Sequence, residues 1–195
     1  MSYRIEQKLF IEKNYIIDFK KFINENFVKK IYEPRVIESL YFDNKEKEMY
    51  KDSIEGSVPR KKIRLRYYPS ENSKEIFLEK KISSVEGRFK KRKLINREDF
   101  ENLKNNGIFD NNYGRCTPKI FVTYNREYYR VGDVRVTVDQ NIRYREYKKD
   151  IIKKDHNLIV ELKTKFNKDL DELTQQFPFQ KIRFSKFCNG LDLFA

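Results

Sequence analysis

Residues 60–68, Arg-Lys-Lys-Ile-Arg-Leu-Arg-Tyr-Tyr, decide how this chain is read. Taken with a period of two, Arg60, Lys62, Arg64, Arg66 and Tyr68 fall on one face, and Ile63, Leu65 and Tyr67 on the other. Successive side chains leave a strand on opposite sides, so this alternation predicts a half-buried strand. Four cations in line on one face repel one another, which favours a polyanion against that face. A solvated edge strand guarded by lysine and arginine would carry the same residues. The neighbouring segments have to separate the two readings.

Working outward, residues 3–11 alternate, with Ile5, Leu9 and Ile11 opposed by Arg4, Glu6 and Lys8. Residues 15–28 switch to helical spacing through Ile16, Phe19, Phe22, Ile23 and Phe27. A strand at about 36–43 carries Ser39, Tyr41 and Asp43 on one face, and 44–58 read as a turn or short helix and a loop. Beyond a turn at Pro69 to Ser73, residues 75–82 place Ile76, Leu78 and Ile82 opposite Phe77, Glu79 and Lys81. Residues 88–95 form a very basic strand, and Arg97 to Asn106 a short helix stopped by Gly107. Strands at about 119–129 and 133–140 make a hairpin about Gly132, followed by strand extension and loop over 141–156. The last strand, 157–164, opposes Leu158, Val160 and Leu162 to Glu161 and Lys163. Asn167 to Phe177 read as a helix, and Ser185 as the N-cap of a terminal one.

With 195 residues and no break in composition, the chain reads as a single domain over 1–195. Phenylalanine (16) and tyrosine (13) can build a core although 37% of residues are charged. The net charge of +13 calls for an anionic partner. Cys116 and Cys188 lie far apart without a CxxC partner, which reads as reduced thiols in a cytoplasmic protein. The opening Met-Ser-Tyr-Arg-Ile-Glu has no apolar run, so no secretion signal is expected. No stretch approaches the roughly 18 apolar residues that span a bilayer. Direct membrane insertion is therefore not expected, and membrane association would run through a membrane-protein partner.

Eight strands with one apolar and one charged face can close into a barrel that turns the charge inward and carries helices on its apolar exterior. Three charged faces repeat Glu-x-Lys: Glu6/Lys8, Glu79/Lys81 and Glu161/Lys163. Such walls would hold phosphates on the cations and Mg²⁺ or Mn²⁺ on the carboxylates, since hard oxygen ligands suit those ions. Cations alternating with glutamates on inward faces argue against nucleic acid, which is met by an outer stripe with aromatic platforms.

The motifs Arg4-x-Glu6-x-Lys8, Ser39-Leu-Tyr-Phe-Asp43, Lys62-x-Arg64-x-Arg66-x-Tyr68, Leu78-Glu79-x-Lys81 and Tyr124-x-Arg126 stand in a telling order. Arg135-x-Thr137-x-Asp139, Glu161-x-Lys163 and Phe184-Ser185-Lys186-Phe187 complete the set. Order and spacing resemble the VTC domain, the polyphosphate polymerase domain of the triphosphate tunnel metalloenzyme superfamily. That resemblance implies an α+β, mainly β fold: an eight-stranded antiparallel closed β-barrel with covering helices. It also implies ATP as donor, polyphosphate as product, and Mn²⁺ or Mg²⁺. Arg64, Arg66, Lys81, Arg126 and Lys186 match the catalytic phosphate-binding cations. Lys8, Lys62, Lys91 or Lys93, Tyr124, Arg135, Lys163 and Ser185 match positions that support substrate. Glu161 matches the principal metal ligand, with Glu6 and Glu79 assisting. Phe187 departs from the tyrosine more usual after the Ser-Lys pair. A tripolyphosphatase or nucleoside triphosphatase of the same fold is the alternative, as is a non-catalytic polyphosphate-binding module. Arg4 stands where hydrolytic relatives carry a first-strand glutamate, and so favours the polymerase. His156 and Asp139 are expected to be structural, Asp139 in an ion pair beside Arg135.

Overall fold

A computed structural model describes residues 4–25, 29–69, 75–165, 177 and 179–195. Ten strands and four α-helices follow one another in these segments. The strands are β1 (Arg4–Ile11), β2 (Lys29–Asp43), β3 (Arg60–Tyr67), β4 (Ile76–Ser84), β5 (Gly87–Ile95), β6 (Ile108–Asp110), β7 (Gly114–Val131), β8 (Val134–Glu146), β9 (Ile152–Asp155) and β10 (Leu158–Lys165). The helices are α1 (Ile16–Glu25), α2 (Glu48–Glu55), α3 (Arg97–Asn106) and α4 (Lys186–Asp192), with a 3₁₀ turn at Lys13–Tyr15 ahead of α1.

Hydrogen bonding orders the sheet β1-β10-β8-β7-β2-β3-β4-β5, with β6 on β7 and β9 on β8. The fold is thus mainly β and antiparallel, as the alternation requires. The expected ring of eight strands is not closed by hydrogen bonds, because no ladder joins β1 to β5 among the described residues. The strand count is ten, since β6 and β9 are three and four residues long and too short to register as a period. The segment expected as a helix over 167–177 lies, but for Phe177, outside the described residues.

The chain divides into two compact units. Unit 1 comprises residues 1–35, 124–142 and 154–184; unit 2 comprises 36–123, 143–153 and 185–195. In unit 1, β1 pairs with β10 and β10 with β8, setting Leu9 beside Val160 and Val160 beside Val138. These residues, with Ile11, Val134, Val136, Leu158 and Leu162, form one apolar face that buries Phe19 and Ile23 of α1. Phe19 meets Phe179 edge-on at 5.4 Å and Phe22 lies 5.6 Å from Phe177. Burying a side chain of this size contributes roughly 1.5–3 kcal/mol, so the phenylalanines hold the helix on the sheet.

In unit 2, β2, β3, β4 and β5 form three consecutive antiparallel ladders. Leu40, Phe42, Ile63 and Leu65 are wholly buried, and Tyr67 of that same β3 face meets Phe100 of α3 at 5.7 Å. Asn96 caps α3 by accepting from Asp99 N, and Gly107 ends the helix at φ 83°. A Cβ at Gly107 would lie 2.6 Å from the Cys116 carbonyl oxygen, so glycine is required where β6 pairs with β7. Asp43 ends β2. Its carboxylate accepts from Asn44 N, Met49 N and Tyr50 N and so closes the N-terminus of α2.

Candidate functional site

Unit 2 sets a cationic face on β3 and its neighbours. Tyr41 pairs with Arg64, Arg64 with Glu79 and Glu79 with Arg92. One row along, Lys62, Lys81 and Lys90 stand side by side on β3, β4 and β5. The odd-numbered apolar residues of β3 are buried on the opposite side, so the period-two reading of residues 60–68 holds.

Glu79 holds this row together. Arg64 Nη2 and Nε lie 2.6 and 2.8 Å from its Oε2, and Lys90 Nζ 2.5 Å from its Oε1. Arg66 and Arg92 stand farther off, at 3.8 and 3.4 Å. Burial alone would raise its pKa, but Arg64, Arg66 and Lys90 outweigh that and bring it down to about 2. Four cations surround one carboxylate, so Glu79 is spent on ion pairs. Its oxygens are thereby engaged by cations on both sides. The register also divides β5. Lys90 and Arg92 join the Glu79 face, whereas Lys91 and Lys93 pair with Lys80 and Leu78 and leave on the other side.

Tyr41 is 5% exposed, stacks on Phe187 of α4 at 5.2 Å and accepts a hydrogen bond from Arg64 Nη1 at 2.8 Å. Burial pushes its phenol up, yet Arg64, Arg66 and Lys186 prevail and pull it to about 8. The phenylalanine at 187 therefore serves as the platform for this ring. Arg66 donates from Nε to Ser39 Oγ. Ser185 caps α4 by accepting from Cys188 N, and it also accepts from Lys62 Nζ at 2.8 Å. Burial lowers the Lys62 pKa. Lys62, Ser185 and Lys186 thus stand with Arg64 and Arg66 within unit 2.

Unit 1 carries a second charged face on β1, β10 and β8. Cross-strand register gives the rows Lys8–Glu161–Thr137 and Glu6–Lys163–Arg135. Glu161 lies 3.0 Å from Lys163 Nζ and shares a side-chain hydrogen bond with Glu6. Burial would raise the Glu161 pKa, but that bond and the charges of Lys163, Arg126 and Lys8 hold it well below the usual carboxylate range. Lys8 Nζ donates to the Phe184 carbonyl at 2.6 Å. Arg126 is clamped by Asp139, Nε to Oδ1 at 2.5 Å and Nη2 to Oδ2 at 2.7 Å, with its guanidinium 5.3 Å from the Tyr124 ring. Asp139 is therefore in an ion pair, with Arg126 as its partner where Arg135 was expected. Arg135 lies against Tyr128. Its Nε and Thr137 Oγ1 are buried without a hydrogen-bond partner among the described residues. Thr137 is part of the Arg135-x-Thr137-x-Asp139 motif but has no role of its own in the sequence reading, because a threonine on a strand reads as packing.

Glu6 and Glu161 bring two carboxyl groups together as a pair of hard oxygen donors that a divalent cation can use. Mg²⁺ is commonly held by one or two carboxylates with substrate phosphate and water completing its shell, so this pair fits such an ion. Among the described residues no cluster of three or more acidic, histidine or cysteine side chains is set to hold one. His156 is exposed in the turn between β9 and β10. Cys116 and Cys188 are buried free thiols, and burial raises Cys116 to about 11.

The sequence profile of the VTC domain matches residues 3–195. Antiparallel β structure with alternating cation and carboxylate rows thus comes with a family, and the chain belongs to the VTC domain family. No curated protein matches the sequence. Among solved structures, a Bacillus halodurans protein described as a candidate adenylate cyclase superposes at TM-score 0.63 with 12% identity, covering 94% of each chain. A Pyrococcus horikoshii protein does so at 0.64 with 15% identity, covering 98% of this chain and 99% of that one. A Hippeastrum candidate adenylyl cyclase, described as having a dominant triphosphatase activity, gives 0.61 with 15% identity over 97% and 95%. These likenesses establish the fold. Among the described residues no helix is long and apolar enough to cross a membrane.

Proposed function

We propose that this protein is a metal-dependent phosphotransferase that moves the terminal phosphate of ATP onto a growing polyphosphate chain. The observation that carries the proposal is the Lys62–Arg64–Arg66 line with Lys81, Lys90 and Arg92 beside it. One carboxylate, Glu79, stands among these cations. Such a face holds far more anionic charge than it supplies. Phosphoryl transfer needs mainly positioning and charge neutralisation, and no covalent nucleophile from the protein. The acceptor is the end of the phosphate chain. Arg64, Arg66, Lys81 and Lys186 hold phosphate in unit 2; Lys8, Arg126, Arg135 and Lys163 do so in unit 1, with Tyr124 placing Arg126. Glu6 and Glu161 would hold Mg²⁺ or Mn²⁺, which neutralises charge on the phosphoryl group in transfer. In this reading the charged faces line a closed barrel, as the family resemblance implies.

Hydrolysis of triphosphate or of a nucleoside triphosphate is the second reading, favoured by the triphosphatase activity described for the Hippeastrum protein. One assay separates the two. Incubation with ATP and Mn²⁺ should yield ADP and chains, faster when primed with a short phosphate chain; orthophosphate without chains would establish the hydrolase. Glu161→Ala should abolish turnover and spare much of the polyanion binding. Full turnover in that variant would remove Glu161 from the metal-holding role, and binding without any turnover in the wild-type protein would leave only a polyphosphate-binding module.

A further inference from the structure

Lys91 and Lys93, turned away from the Glu79 face, line a cavity of about 390 Å³ on the opposite side of β4 and β5. Leu78 and Ile82 give it an apolar side, and Phe109 and Asp110 of β6 line it together with Asn111 of the turn that follows. Phe109 is 73% exposed, an unusual state for a phenylalanine on a strand. Asp110 is buried, and its two oxygens take Lys61 Nζ at 2.8 Å and Lys80 Nζ at 3.4 Å. Two lysines on one carboxylate leave a surplus positive charge. Lys91 and Lys93 have no acidic partner among the described residues, so the rim adds two more unneutralised cations.

We propose that this cavity binds a nucleoside phosphate, distinct from any phosphate held on the Glu79 face. Each part of the ligand has a matching part of the wall. A base is planar and apolar on its faces and fits between Phe109 and the Leu78/Ile82 side, where aromatic stacking contributes to binding. The phosphates meet Lys91 and Lys93. The exposed Asn111 amide, both donor and acceptor, can meet the polar edge of the base or sugar. The volume lies within the usual range for small-molecule sites. An inorganic phosphate chain would use the lysines and leave Phe109 idle, so the aromatic wall favours the nucleotide.

The test measures binding of ATP and of tripolyphosphate by equilibrium dialysis without divalent metal, so that no turnover occurs. Phe109→Ala and the double variant Lys91→Glu/Lys93→Glu alter exposed side chains and should leave the fold intact, which circular dichroism checks. Both should weaken one class of ATP site about tenfold or more, and Phe109→Ala should leave tripolyphosphate binding unchanged. In an Arg66→Ala background, ATP binding should persist and then disappear when Phe109→Ala is added. If Phe109→Ala leaves every ATP site unchanged, or if Arg66→Ala alone abolishes ATP binding, the outer site is refuted. If Arg66→Ala changes nothing while Phe109→Ala does, the outer site stands and the proposed phosphate role of the Glu79 face falls.

Discussion

Arg64 Nη2 lies 2.6 Å from Glu79 Oε2, and the carboxylate so held is 2% exposed with four cations around it. Its pKa, about 2 against an ordinary 4.5, makes this pair a source of pH-dependent stability. The folded-state value is the lower one, so the stabilisation is complete above about pH 4.5 and is lost as the pH falls toward 2. By linkage the contribution is on the order of 3 kcal/mol. Glu79→Gln should lower stability at neutral pH and flatten the acid limb of a denaturation series. A variant that unfolds in acid along the wild-type curve would remove Glu79 from this role.

Tyr41 offers an optical report on the same face. Its phenol, held at about 8, should ionise well before ordinary tyrosines near 10, in a step visible by near-ultraviolet absorbance and absent in Tyr41→Phe. The depressed value means that Tyr41 adds stability as the pH rises from about 8 to about 10, and contributes none below. A phosphate chain on Arg64 and Arg66 would cancel the charge that lowers the phenol. Saturating tripolyphosphate should therefore move the midpoint upward. An unmoved midpoint would place the bound anion away from these arginines.

The strands were legible because most of them mark one face with apolar residues, and α3 was legible to the residue because Asn96 and Gly107 bracket it. The run Lys90-Lys-Arg-Lys93 carries no such mark. All four residues are basic, so a period of two cannot say which pair faces Glu79; only the register with β4 does, through Glu79 and Arg92. The role of Asp43 is likewise not visible in the alternation. The residue continues the pattern of Ser39 and Tyr41, yet three backbone N–H groups at the start of α2 claim its carboxylate. The partner of Asp139 turned on geometry as well: Arg135 is nearer in sequence, but Arg126 on the adjacent strand presents the fork.

Gly190 tests the packing of α4. In most helices Gly→Ala stabilises by roughly 0.5–1 kcal/mol. Here a Cβ would lie 2.7 Å from both Ile120 Cδ1 and Tyr144 Cδ1. Overpacking of this kind costs about 1–3 kcal/mol, more than the propensity gain. Gly190→Ala should be less stable than wild type in denaturant unfolding. Equal or greater stability would mean that α4 does not sit this closely on Ile120 and Tyr144.

Ser185 serves two partners at once, the Cys188 N–H and Lys62 Nζ. Loss of an N-cap costs about 1 kcal/mol. In a chain of this size that is a fall of roughly 2–4 °C in melting temperature. Ser185→Ala should show at least this, because Lys62 also loses its acceptor, and Ser185→Thr should recover most of it. If Ser185→Ala melts with the wild type, neither bond matters to the fold.

Arg126 and Asp139 separate stability from binding. Asp139 is 1% exposed, and the next carboxylate, Glu161, stands 3.9 Å from the guanidinium. Asp139→Leu alone leaves a buried cation with one distant partner and should cost about 3–5 kcal/mol, since stranding one member of a buried pair is strongly destabilising. Replacing both members by apolar residues of similar volume is often neutral, so Arg126→Leu/Asp139→Leu should regain most of that loss. Stability and phosphate binding then part company: the double variant should fold near wild-type stability and yet hold tripolyphosphate several-fold more weakly, because a bidentate donor has gone. Unfolding and binding isotherms on the three proteins decide the matter. A stable double variant that binds tripolyphosphate as tightly as the wild type would make Arg126 an element of the core and remove it from the phosphate-holding set.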